Sequence, residues 1–314
     1  MLPWAKKRAE RIEKAADAAA RAANAGKTRT LWGDALKRLS KNKLAIIGFA
    51  WIIVMVLIAL SADLWVPQNF GDPTFIDTGN VAAISWQPPS LEHPFGTDRV
   101  GRDILSRTIY GARVSLLVGI CATGFALIVG LIMGALAGYF GGLVDAIIMR
   151  VTDIFMAFPY TLFAIALLAV LGPSLMNVIL AIGILAWTSI ARVLRSTILS
   201  VKENDYISAA RALGASNLRI IVRHVLPNSI ASVVVYATMA IGSAILSEAA
   251  LSFLGLGVQP PTPSWGMMIS DGQAVIATAP WMAFFPGAAC LLTVLSFTLM
   301  GDGLRDALDV KVTD

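Results

Sequence analysis

Six long apolar runs constrain this chain more than any other feature. They cover residues 44–62, about 115–138, roughly 147–171, 178–194, about 230–254 and 281–300. Each is long enough to cross the hydrocarbon core of a bilayer, which takes roughly 20 residues as a helix. Lipid offers the backbone no hydrogen-bond partners, so such runs should be helical. A membrane β-barrel would instead show segments of about 10 residues alternating in polarity. The composition agrees. Of the 314 residues, 57% are hydrophobic and 14% charged, against about 25% charged in a soluble domain. A cytosolic enzyme built on one core does not fit this balance, and neither does a disordered chain. The sequence predicts an all-α polytopic membrane protein with six transmembrane helices.

Charge predicts the orientation. Residues 1–43 carry 12 Lys/Arg against 4 Asp/Glu, and the remainder 13 against 16. A basic stretch before the first apolar run should stay in the cytoplasm. It shows no nucleic-acid-binding pattern, so no nucleic-acid partner is expected. Six crossings then put both termini inside. Residues 199–228, with Lys202, Arg211, Arg219 and Arg223, fall inside. Residues 63–112, with six acidic and three basic residues, and the Lys/Arg-free loop 255–280 fall outside. The first apolar run starts at Leu44, too late for a secretory signal, and reads as a retained span.

Catalytic chemistry is nearly absent. Gly26-Lys27-Thr28 resembles the end of a phosphate-binding loop, but that pattern needs a Gly where Arg21 stands. His93 and His224, the two histidines, are expected on opposite sides of the membrane, which leaves no histidine-pair metal site. Cys121 and Cys290 lie in apolar runs and read as small buried hydrophobes. The chain by itself is expected not to be an enzyme, with no catalytic residue, metal or cofactor of its own. Gly130, Gly134 and Gly138 line one helix face at four-residue spacing, a signal for close helix packing. Asp153 and Glu248 are ionisable residues in or near spans, a functional hypothesis by default. Their expected places, near the cytoplasmic and outer ends, fit helix-end hydrogen bonding equally well.

The most informative segment is the predicted cytoplasmic one. Asp205 can cap a short helix starting near Tyr206, and Gly214 suits the left-handed position that ends it. Ser216 can cap a second helix, with Leu218, Ile221, Val222 and Val225 on one face and Arg219 and Arg223 on the other. Pro227 can break this helix or begin the next. Such an elbow suits docking to a soluble partner, although local physics alone favours an interfacial amphipathic linker.

Motifs shift that weighting. Ser208-Ala209-Ala210, then Gly214, Ile221 and Leu226-Pro227, resembles the EAA loop of ATP-binding-cassette importer permeases. Ser208 stands where that family has Glu, which removes one charged contact. His93-Pro-Phe-Gly-Thr-Asp-Arg-Val-Gly-Arg-Asp-Ile-Leu-Ser-Arg-Thr-Ile-Tyr-Gly-Ala-Arg-Val-Ser-Leu116 is similar to the segment before the second span in the C-type permease of peptide importers. Phe253-Leu-Gly-Leu-Gly-Val-Gln-Pro-Pro-Thr-Pro-Ser-Trp-Gly266 resembles the outer loop of the same group. Gly301-Asp-Gly-Leu-Arg-Asp-Ala-Leu-Asp309 resembles its tail, and Leu31-Trp32 with Leu36 and Leu39 its surface elbow helix. The resemblance covers about residues 30–312.

The resemblance implies a type I ABC importer permease fold. Its parts would be a cytoplasmic extension (1–30), an interfacial helix (31–43), a first span (44–62), an outer loop (63–112), a five-helix core (113–304) holding the coupling loop 199–228, and a tail (305–314). It implies a bacterial inner-membrane location. The implied partners are a second homologous permease, two ATPase subunits that hold ATP and Mg, an extracytoplasmic substrate-binding protein and the lipid bilayer. Docking to an ATPase would use Tyr206, Ile207, Ser208, Ala209, Ala210, Arg211, Leu213, Gly214, Leu226 and Pro227. On the outer side, Asp98, Arg99, Arg102 and Asp103 read either as part of an outer gate or binding-protein contact, or as local salt bridges and caps. The close spacing of opposite charges favours the second. The cargo would be a di- or oligopeptide. Two rivals are the same fold carrying a nickel chelate or glutathione, and a stand-alone secondary transporter, which would need paired mid-membrane carboxylates or matched broken helices.

Overall fold

The computed structural model describes residues 31–74 and 84–308. The predicted extension 1–30 and most of the tail lie outside the described residues. Among the described residues eleven helices follow one another: α1 (Leu31–Leu39), α2 (Lys43–Phe70), α3 (Ile104–Phe140), α4 (Gly142–Ala157), α5 (Tyr160–Leu171), α6 (Leu175–Val201), α7 (Asp205–Ala212), α8 (Asn217–Ile220), α9 (Leu226–Phe253), α10 (Trp265–Gln273) and α11 (Trp281–Leu308). A π-helical turn, Ile221–Val225, joins α8 to α9. Among the described residues the one β feature is an isolated bridge between Thr97 and Asp103.

Among the described residues five helices are long and apolar enough to cross a membrane, and a sixth span exists if α4 and α5 count as one. Those two meet at an angle of 85°. The expected straight third span at 147–171 is therefore broken. Its cause is local. Phe158 is extended, at φ −85° and ψ 135°, as a residue before proline prefers. Pro159 has no N–H to continue the ladder. The span also starts earlier than expected, because Gly141 and Gly142 take φ of +68° and +52° and turn the chain directly from α3 into α4. That is backbone only glycine adopts freely.

Other helices outrun the apolar runs that predicted them. Helix α3 begins at Ile104, so the last part of the expected outer loop 63–112 is helical, and α2 takes its first part up to Phe70. Helix α11 runs on to Leu308 through Asp302 and Arg305, into the predicted tail. A short helix, α10, occupies part of the loop 255–280.

The core forms where α3 lies along α6. A Cβ on Gly130 would stand 2.7 Å from Ile190, one on Gly134 2.7 Å from the Ala191 carbonyl, and one on Gly138 2.9 Å from Ile198. The small-residue stripe is thus the surface that lets these backbones approach, as its spacing predicts. Helices α2, α9 and α11 complete the bundle around Ile52, Met55, Leu116, Ile245 and Phe297.

Candidate functional site

The elbow stands at the end of the bundle where α6 stops. Lys202 caps that end and donates to the Gly138 carbonyl at 3.3 Å. Asn204 stands at the N-cap position of α7 without a side-chain cap bond, and Asp205 is its first helical residue. The predicted cap is therefore one residue late. The end of α7 follows the prediction. Gly214 has φ +80°. Its N–H donates to the Arg211 carbonyl at 3.0 Å, and the Ala215 N–H donates to Ala210 at 3.1 Å. This pair of bonds is the Schellman arrangement that stops a helix cleanly.

Burial sorts the expected docking residues into two sets. Ile207 is 1% exposed and packs with Ile198, Ile220, Ile221 and Val225. It anchors α7 to the bundle and presents nothing outward, a correction to its expected docking role. Leu226 is half-buried on the same cluster. Tyr206 is 43% and Leu213 88% exposed. Ser208, Ala209, Arg211, Gly214 and Pro227 are exposed as well, and Ala210 is half-buried.

The second helix differs from its predicted amphipathic pattern. Ile221 and Val225 face inward, but Leu218 is 72% and Val222 57% exposed. The π turn is the reason. The Leu226 N–H reaches back to the Ile221 carbonyl, five residues earlier, so a face drawn at 3.6 residues per turn is rotated. Pro227 begins the next helix, the second of its two predicted roles. It sits in the first turn of α9, directly after the π turn, and supplies no N–H to the ladder there. The result is an elbow rooted by isoleucines, tied by the Tyr139 hydroxyl to the Asn217 side chain at 2.9 Å. On its outer face it shows Tyr206, Leu213, Leu218 and Val222 with Arg211, Arg219 and Arg223 exposed beside them. Sequence reasoning missed Leu218 and Val222 because it assumed an uninterrupted α-helix.

At the other end of the bundle the acidic and basic cluster is a knot. One Asp98 carboxylate oxygen accepts from the Val100 and Arg102 N–H groups, both at 2.9 Å. The other accepts from Arg102 Nε at 2.7 Å, with Arg107 Nε 3.7 Å away. Asp103 caps α3 through the Ser106 N–H at 2.7 Å and meets His93 Nδ1 at 2.9 Å. Burial pushes the Asp103 carboxyl above its usual range, against the pull of those two partners. Arg107 donates to the Pro73 carbonyl, and Trp265 donates across to Thr108 at 2.9 Å. Asp98 and Asp103 are each 3% exposed. The structure therefore uses three of the four predicted gate residues internally, Asp98 and Asp103 buried and Arg102 ion-paired. Of the four, Arg99 alone is exposed.

Of the two acids in or near spans, Glu248 keeps its expected place near one end of its helix, five residues before Phe253, and Asp153 does not. Asp153 stands eleven residues into α4, well away from its first residue, and binds Arg192 at 2.8 Å. Glu248 is fully buried between α3 and α9, where Ser115 and Ser252 donate to it. One turn after Arg192 along α6, toward the elbow, Arg195 pairs with Asp145. Among the described residues no group of His, Cys, Asp and Glu could hold a metal ion.

Comparisons with known proteins agree with this architecture. The family model described as binding-protein-dependent transport system inner membrane component matches residues 126–314. A second, the N-terminal TM domain of oligopeptide transport permease C, matches residues 30–89. The dipeptide transport system permease protein DppC of Alkalihalophilus pseudofirmus is 48% identical, over 90% of this chain and 90% of that protein. The oligopeptide transport system permease protein OppC of Bacillus subtilis is 40% identical over 93% and 95%. The glutathione transport system permease protein GsiD of Escherichia coli is 42% identical over 90% and 92%. A solved structure of the MetNI methionine ABC transporter, in inward-facing conformations, superposes with a TM-score of 0.53 at 20% identity. It covers 65% of this chain and 94% of that one, a likeness of fold alone.

Proposed function

This chain belongs to the family of binding-protein-dependent transport system inner membrane components, and from that premise we propose that it is one permease of an ATP-binding-cassette importer for dipeptides or oligopeptides. It would form half of a translocation path and do no bond-breaking chemistry itself. Its partners would be a second, related permease, two ATPase subunits and an extracytoplasmic binding protein. ATP and Mg would reside at the ATPases. The chain would sit in the bacterial inner membrane with both termini, and the elbow, in the cytoplasm.

The observation that carries this reading is the elbow. It exposes Tyr206, Leu213, Leu218 and Val222 at the end of a bundle, on a segment too polar to lie in hydrocarbon. A patch of that kind calls for a protein partner. Its roots are rigid, so a push on α7 moves α6 and α9 together through Ile198, Ile207 and Val225. An ATPase that changes shape on binding ATP could bias a two-state bundle through this lever. The relatives named for dipeptides and oligopeptides support the peptide cargo. The glutathione relatives keep a second cargo in view, itself a peptide. The stand-alone transporter requires broken helices at matching places in two halves, and the described residues contain one broken pair.

Purification from native membranes tests the assembly. ATPase subunits should co-purify with the chain. Ala210→Glu should overfill the docking groove, so that uptake is lost and the complex is weakened or uncoupled. Full substrate-stimulated ATPase and uptake in that variant would remove the docking assignment. Autonomous gradient-driven uptake by this chain alone would remove the importer reading itself.

A further inference from the structure

The Asp153–Arg192 pair has no evident reason to be where it is. Arg192 lies inside the apolar run 178–194, nine residues before the end of α6, about 14 Å of helix rise from it. Asp153 comes from α4, which has one buried residue, Thr152, along its whole length. The two side chains are 48% and 54% exposed. Charges at such a depth are costly against lipid, and an aspartate is too short to reach the headgroups. They belong in protein or in water, and among the described residues no protein covers them.

A cavity of about 280 Å³ lies at the broken span. Phe155, Phe158 and Tyr160 line it from the α4–α5 break, and Leu185, Thr188 and Ser189 from α6. Thr188 and Ser189 stand one helical turn from Arg192, and Met156, which also lines the cavity, stands one turn from Asp153 on the same face of α4. Near the elbow end a second cavity, about 470 Å³, is lined by Val193, Ser232, Tyr236, Met239 and Arg305. Val193 is the residue after Arg192. Polar and charged side chains thus recur along one side of α6 and α9 where a lipid-facing surface would be apolar.

We propose that Asp153 and Arg192, with the aromatic cavity beside them, form an intramembrane subsite for a zwitterion, the free ammonium and carboxylate of a short peptide. The inference deepens the importer reading and rests on it. Arg192 can hold a carboxylate through two N–H groups at once, and Asp153 can take the ammonium. A ligand carrying both charges replaces each partner's bond as it separates them. A ligand with one charge leaves the other side chain unpaired in a low-dielectric site, which is costly. The apolar walls of the cavity accept a side chain without reading its identity. Such a subsite suits a path that must pass many sequences.

The test uses the assembled transporter in proteoliposomes, in a background with Cys121→Ala and Cys290→Ala. Ser189→Cys should react with a membrane-impermeant thiol reagent, and alanyl-phenylalanine present during turnover should slow that reaction. Ile47→Cys, on the outward face of α2 and 64% exposed, should stay unreactive as the lipid control. Asp153→Asn and Arg192→Gln should each lower uptake of the same dipeptide by about tenfold or more, while the complex still assembles. An unreactive Ser189→Cys would mean that the pair faces protein or lipid, and would overturn the subsite. Wild-type uptake in the doubly neutral variant, Asp153→Asn with Arg192→Gln, would show that neither charge meets the cargo and overturn it equally. The double variant also covers the case in which a single variant, with one charge left unpaired, does not fold. A parent chain that never carries ATPase subunits would instead sink the importer reading, and this one with it.

Discussion

Ser115 on α3 donates its hydroxyl to Glu248 on α9 across 2.8 Å, between residues that are both completely buried and 133 positions apart in the chain. Ser252, one turn further along α9, donates to the other carboxyl oxygen at 2.6 Å. Gly257 closes over this site so tightly that a Cβ there would lie 1.8 Å from the Ser252 hydroxyl. The acid pins α3, α9 and the start of the loop that follows α9 together. It is distinct in kind from Asp153, which is open.

Glu248→Gln should therefore be tolerated, because its amide oxygen still accepts from one serine, its NH2 donates to the hydroxyl of the other, and the side chain fits the same space. Glu248→Leu leaves two buried hydroxyls without their acceptor, at a cost of about 1–3 kcal/mol. Melting of the purified chain in detergent, followed by size-exclusion chromatography, compares the two. Equal destabilisation by Gln and Leu would count against the hydrogen-bond account.

The α3–α6 interface makes a second prediction. Gly134→Val puts a branched side chain against the Ala191 carbonyl, already 2.7 Å from an added Cβ, and overpacking of this kind costs about 1–3 kcal/mol. Gly124, on the same helix, has nothing within 4 Å of an added Cβ. Gly124→Ala should be neutral or stabilising by up to about 1 kcal/mol through helix propensity. The same detergent melt reads both, and similar melting temperatures for the two would contradict the packing argument.

This contrast shows what the sequence could and could not reveal. The Gly130, Gly134 and Gly138 stripe was legible because close approach needs only small residues at helical spacing, whoever the partner is. The turn at Gly214 was legible because its backbone demand is local. The break at Phe158–Pro159 was hidden inside a continuous apolar run, since proline also occurs in unbroken membrane helices. The inward face of the second elbow helix was misread because a π turn at Ile221–Val225 leaves no signature in a hydropathy pattern. The Asp153–Arg192 bond joins residues 39 positions apart and follows from how α4 crosses α6, which no local pattern encodes. The outer cluster was read both ways, and burial of Asp98 and Asp103 decides for salt bridging and capping, with Arg99 the exception.

That exception is testable. Asp98→Ala removes the acceptor for two backbone N–H groups and leaves Arg102 and Arg107 without their carboxylate. The expected loss is about 3–5 kcal/mol, the scale of breaking a buried ion pair. Arg99→Ala should change stability by no more than about 0.5 kcal/mol. If the outer face meets a binding protein, Arg99→Ala lowers uptake all the same. Unchanged uptake would leave none of the four outer residues in a gate or docking role.

The elbow separates anchoring from docking at two positions six residues apart. Ile207→Ala empties a site that is 1% exposed among Ile198, Ile220 and Val225, and such truncations cost about 2–5 kcal/mol. Leu213→Asp changes a side chain that is 88% exposed, so the melting behaviour of the isolated chain should shift by no more than about 0.5 kcal/mol. Their effects on partner binding run the other way. Leu213→Asp places a charge on the apolar face that includes Tyr206 and Leu218, and co-purification of ATPase subunits should fall steeply while the chain stays folded. Ile207→Ala should lose partners only as far as it loses the fold, so conditions that restore its stability, such as added lipid or lower temperature, restore the complex. If Leu213→Asp kept its full complement of ATPase while a surface charge elsewhere, at Leu91 on the opposite end, abolished it, the elbow would not be the docking face.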